Sequence, residues 1–81
     1  MKRRSTSALW NGETLCRLRQ KRGLTQIKIA EKLTRVLGRQ ISQPTYSNWE
    51  NAGIEPKGYP TLKALAEICH CEVEDFFGPG R

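Results

Sequence analysis

The chain has 81 residues and a formal net charge of +6, from 14 Lys and Arg against eight Asp and Glu. That length holds one domain with one small core and little volume for a deep catalytic cleft, and no run approaches the roughly 20 apolar residues of a membrane span. The charge is lopsided: residues 1–39 carry a net of +9 and residues 40–81 a net of −3, a distribution that draws in polyanions by long-range Coulomb attraction.

Residues 1–10 read as an N-terminal arm, basic and polar through Lys2, Arg3, Arg4, Ser5, Thr6 and Ser7. Such an arm either enters a minor groove or serves as a solubilising tail. No apolar run follows the basic start, so no secretory signal is visible. With an odd count of cysteines (Cys16, Cys69, Cys71), a reducing, cytoplasmic setting fits best.

The spacing predicts a folded unit over 11–77, with 78–81 as a C-terminal tail. Asn11 is a good N-cap for a first helix, with Glu13 in the first turn where the helix dipole favours an acid. Leu15, Cys16 and Leu18 give its apolar face. Arg17, Arg19, Lys21 and Arg22 load its end with positive charge, either as a patch for a nucleic-acid backbone or as a solvated helix end. Gly23 follows where a left-handed stop is expected.

Thr25 caps the predicted second helix. Ile29, Ala30, Leu33, Val36 and Leu37 form one stripe of a 3.6-residue period, opposite Lys28, Glu31, Lys32 and Arg35. Ile27 falls off that stripe, and Gly38 ends the run. Ser42 caps a third helix to about Asn51, with Pro44 tolerated in its first turn because no intrahelical bond is lost there. Tyr46 and Trp49 point inward, and Gln43, Thr45, Ser47 and Asn48 are left on other faces. A loop over Ala52–Tyr59 precedes a fourth helix from about Thr61, carried by Leu62, Leu65, Ala66, Ile68 and Cys69. A short fifth helix runs from about Glu72 to Phe77, anchored by Val73, Phe76 and Phe77.

Two helices joined by a turn, the second polar outward and aromatic inward, is the geometry that places a helix in the DNA major groove. Leu24-Thr25-Gln26 with Ile29-Ala30 and Leu33 resembles the second helix of the Cro/CI-like (XRE-type) helix-turn-helix regulators. Ile41 through Asn51, ending in Glu50-Asn51, resembles that family's third helix. Thr61-Leu62, Leu65-Ala66 and Phe76-Phe77 are similar to its closing helices, so the resemblance covers about residues 13–77. It implies an all-α, compact five-helix bundle of the lambda-repressor-like type and a DNA-binding transcriptional regulator, of repressor kind and of bacterial, phage or plasmid origin, with no cofactor.

The resemblance also implies roles for single residues. Gln43, Thr45 and Asn48 align with positions that reach base edges, with Ser47 as a fourth member. Gln and Asn pair bidentately with adenine, and Thr donates, accepts or touches a thymine methyl. Gln26 and Ser42 align with contacts to the phosphate backbone, which set register without reading sequence. Arg17, Lys28 and Asn51 join that set. The connection from Leu33 to Glu50 is about six residues longer than the family's, which predicts an extra helical turn to Leu37-Gly38 and a turn through Arg39, Gln40 and Ile41. Arg39 and Gln40 then project beside the third helix as further backbone contacts. His70 stands where a helix-ending Gly is common, and Glu72 where a Ser or Thr cap is.

Cys69-His70-Cys71 lacks the spacing and the fourth ligand of a structural zinc site, so no metal is expected. One His, no Ser/His/Asp set and no Gly-rich phosphate loop argue against an enzyme. The partner expected is double-stranded DNA, bound by a homodimer because palindromic sites call for a two-fold protein. Phe76 and Phe77 are the predicted dimer contact. The alternative is a protein-interaction module of the same fold, an antitoxin masking a toxin.

Overall fold

Asn11, Thr25 and Ser42 each accept a hydrogen bond from the backbone N–H three residues on, at Thr14, Lys28 and Thr45. These are N–H groups with no acceptor inside their own helix, so each cap fixes where a helix starts. The computed structural model describes residues 9–77. Its helices are α1 (Gly12–Lys21), α2 (Gln26–Leu37), α3 (Gln43–Asn51) and α4 (Tyr59–Cys69). A single 3-10 turn, Val73–Phe76, closes the described chain. The basic arm through Ser7 and the tail after Phe77 lie outside the described residues.

The stops are equally local. Gly38 ends α2 at φ 73°, and its N–H reaches back to the Thr34 carbonyl; a side chain at that φ clashes with the following carbonyl. His70 ends α4 in the same left-handed conformation, at φ 59°, one that His tolerates better than most residues.

The packed set is Leu15 of α1, Ile29 and Leu33 of α2, Tyr46 of α3, Leu65 of α4 and Phe76, all fully enclosed. Each such side chain contributes about 1.5–3 kcal/mol of hydrophobic stabilisation. α2 packs on α4 and α3, and α1 on α3, with the 3-10 turn wedged against α1 and α4. Trp10, assigned to the arm on sequence grounds, belongs to this body. Its ring lies 5.5 Å from that of Phe76 and 5.8 Å from that of Phe77, and its indole N–H donates to the Trp49 carbonyl at 2.8 Å.

Four expectations are corrected. The fifth helix is one turn of 3-10 geometry: the four residues Val73–Phe76, from the Glu72 cap to the buried Phe76, leave no room for an α-helical ladder. α4 starts at Tyr59, with Pro60 inside its first turn, where the missing N–H costs nothing. Val36 is 58% exposed; at 100° per residue it lies at the margin of the Ile29–Leu33–Leu37 stripe. Ile41, read as a turn residue, is a core residue at 4% exposure.

Candidate nucleic-acid interface

α3 divides cleanly by face. Tyr46, Trp49 and Glu50 are buried, whereas Gln43, Thr45, Asn48 and Asn51 are exposed and Ser47 is half-buried. The aromatic pair sets this division, because Tyr46 and Trp49 meet edge to face in the core with ring centroids 5.7 Å apart. Turning the aromatic side inward leaves the amides and hydroxyls facing solvent.

Several of those polar groups are already engaged. Ser42 donates its hydroxyl proton to Thr45 Oγ1 at 2.9 Å while capping α3. Asn51 Nδ2 donates to Ser47 Oγ at 2.8 Å. Gln43 Nε2 donates to Gln26 Oε1 at 2.7 Å, joining the start of α3 to the start of α2. Among the described residues none forms a hydrogen bond with the side chain of Asn48, the exposed amide midway along α3.

Beneath this surface lies a buried polar cluster that sequence reasoning missed. Glu50 receives Arg19 Nε at 2.6 Å and Arg19 Nη2 at 3.2 Å. It also receives the Tyr46 hydroxyl at 2.5 Å and Gln26 Nε2 at 2.9 Å. Arg19 spends its remaining Nη1 on the Leu24 carbonyl at 2.7 Å. Burial pushes the Glu50 carboxyl up, but hydrogen bonds from Arg19, Tyr46 and Gln26 outweigh it and hold the group below the usual carboxylate range. Its bond to Glu50 drives the Arg19 guanidinium further toward the charged form, and burial with the same carboxylate holds the Tyr46 phenol neutral. The signal was present: Glu50 lies four residues after Tyr46 on the inward stripe, and an acid there needs a cation.

Arg19 is thereby removed from the expected surface patch at the end of α1. Arg17, Lys21 and Arg22 remain exposed, as do Lys28, Lys32 and Arg35 of α2. Arg39 is exposed but turned toward α4, donating from Nη2 to Thr61 Oγ1 at 2.8 Å. Gln40 is exposed on the rim of an open groove between α2 and α3, with Ile27, Glu31, Arg35 and Gln43 around it. Phe76, expected at a dimer contact, is fully enclosed and offers nothing to a second copy. Cys69, His70 and Cys71 do not converge: Cys69 is buried and His70 exposed, and the described residues hold no cluster of three potential metal ligands. Burial also pushes the Cys69 thiol up to about 12 and the Cys71 thiol to about 11, far from a reactive thiolate. No described helix is long and apolar enough to cross a membrane.

A family model described as Helix-turn-helix matches residues 17–76. The chain belongs to the Cro/CI-like (XRE) helix-turn-helix family. No curated protein and no solved structure matches it. In this helix-turn-helix protein the match runs from Arg17, inside α1, to Phe76, so α2, α3 and α4 all lie within it. α2 and α3 form the paired helices that name the family. The connection between them is held by Thr34, whose hydroxyl donates to the Ala30 carbonyl at 2.9 Å and accepts the Ile41 N–H at 2.9 Å.

Proposed function

We propose that the protein is a sequence-specific duplex-DNA-binding transcription regulator, acting as a repressor through a homodimer on DNA. α3 enters the major groove. Gln43, Thr45 and Asn48 read base edges with Ser47 beside them, and Gln26, Ser42, Lys28, Arg17 and Asn51 lie along phosphates. Gln40 and the unengaged guanidinium nitrogens of Arg39 extend that backbone contact. This is a binding module and not an enzyme.

The observation that carries the reading is the division of α3, with amides and hydroxyls outward and Tyr46, Trp49 and Glu50 inward. Membership of the family supports it, as does the basic exposed surface of α1 and α2. Selection of bound duplexes from a random pool, followed by sequencing, tests it. The expected outcome is one enriched half-site repeated with two-fold symmetry about a turn of DNA apart. No enrichment even at low salt overturns it, and retention of a co-encoded protein under those conditions points to the interaction module instead.

A further inference from the structure

A carboxylate that never reaches the surface dictates which way two surface amides face. Ionised Glu50 can only accept hydrogen bonds, so Gln26 must turn its Nε2 inward to reach it, at 2.9 Å. The Gln26 carbonyl oxygen is thereby turned outward. An outward oxygen takes a donor, and Gln43 answers it with its own Nε2 at 2.7 Å. Gln43 is left with its carbonyl oxygen and its second N–H for a partner outside the protein.

We infer that Glu50 is a specificity-determining positioning residue: through Gln26 it locks the Gln43 amide in the polarity that fits adenine and disfavours guanine. The inference rests on the DNA-binding reading above. In the major groove adenine presents a donor at N6 and an acceptor at N7, whereas guanine presents two acceptors, O6 and N7. The locked amide offers an acceptor and a donor, matching adenine. Guanine requires both Gln43 N–H groups to point outward, which sets the Gln43 and Gln26 oxygens against each other. Arg19 and Tyr46 take part by holding Glu50 ionised and fixed.

The test is random-pool selection with the parent, Gln26→Ala and Glu50→Gln, read at the base pair whose preference disappears in Gln43→Ala. The parent is expected to favour adenine over guanine there by about 5- to 150-fold. Both variants should bring that ratio to within about threefold while preferences at the Asn48-dependent positions persist. Gln26→Ala leaves the Arg19–Glu50–Tyr46 cluster in place, so it answers even if Glu50→Gln unfolds. Full adenine preference in Gln26→Ala overturns the inference, as does an equal loss at every position, which is the mark of a merely structural role.

Side-chain amide exchange by NMR, without DNA, separates the two levels. The Gln26 and Gln43 amides should exchange more slowly than those of exposed Gln20 and Gln40, with the slowing at Gln43 lost in Gln26→Ala. Fast exchange at Gln43 in the parent overturns the linkage itself. Slow exchange in a chain that ignores duplex DNA overturns the DNA reading, and with it the specificity role.

Discussion

The backbone of Gly12 rests directly on the carbonyl oxygen of Glu50, so closely that a methyl group would overlap that oxygen and the neighbouring one of Trp49. The positive end of α1 thus meets the negative end of α3, a favourable dipole pairing, and the Trp10 indole closes on the same Trp49 carbonyl. The inclination of α3 is set from behind by this contact.

Gly12→Ala separates two effects of opposite sign. Helix propensity alone favours alanine by at most about 1 kcal/mol. The overlap is with backbone, which no rotamer change relieves, so α1 and α3 must part at a cost of about 1–3 kcal/mol. Thermal unfolding followed by circular dichroism should show Tm falling by about 4–8 °C for each kcal/mol. A Tm equal to or above the parent's would mean that the approach does not constrain the fold.

Asn11, Thr25, Ser42, Gly23 and Gly38 were legible in the sequence because a cap or a left-handed stop depends on a few neighbouring residues. The inward placement of Tyr46 and Trp49 was legible for the same reason, since one helical period fixes it. The inward stripe calls for a cation at Glu50 but does not name Arg19: the two are 31 residues apart, and a basic run at a helix end looks alike whether its members reach solvent or a buried acid. Val36 failed because periodicity assigns a face but cannot say whether another element covers that turn. Ile41 failed because a core residue in a connection has no period at all.

The Arg19–Glu50 pair predicts strong non-additivity. Its side chains are 10% and 1% exposed, so removing either partner strands a buried charge, at about 3–5 kcal/mol. Arg19→Met and Glu50→Leu should each remove a large share of the about 5–15 kcal/mol typical of a folded domain. The double variant should cost much less than the two losses added together. Urea unfolding of the four proteins measures the coupling, and single variants as mild as exposed Lys32→Ala would contradict the burial of the pair.

Acid should act through the same carboxylate. The Glu50 carboxyl is held below its ordinary value in the fold, so its stabilising contribution is complete above the unfolded pKa of about 4.3. That contribution is lost as pH falls through the lower folded value. Tm measured down a pH series should drop below about pH 4.5. In Glu50→Gln the drop should be shallower, and equal slopes would assign acid sensitivity elsewhere.

On DNA, Asn48→Ala and Lys28→Ala should fail in different ways. Asn48 is exposed on α3 and Lys28 on α2. Loss of a base-reading amide relaxes preference at one position, worth about 1–3 kcal/mol, and spares non-specific binding. Loss of a phosphate-facing charge weakens binding to every sequence and lowers the salt slope by roughly 0.9. Titrations against matched and scrambled duplexes at several salt concentrations separate the two. A uniform loss in Asn48→Ala would remove it from the reading face.

Thr34 predicts how the connection from α2 supports α3. Its hydroxyl bridges the Ala30 carbonyl and the Ile41 N–H, tying the last turns of α2 to the segment that leads into the Ser42 cap. Thr34→Val keeps the shape and removes the bridge, leaving the N–H of buried Ile41 without its acceptor at a cost of about 1–3 kcal/mol. The loosened connection frees the start of α3, where Gln43 is held. Amide hydrogen exchange should therefore rise at Ile41 and over the first turn of α3 while α1 stays protected. Exchange rising evenly over all four helices would instead mark a general loss of stability, and the connection would have no particular hold on α3.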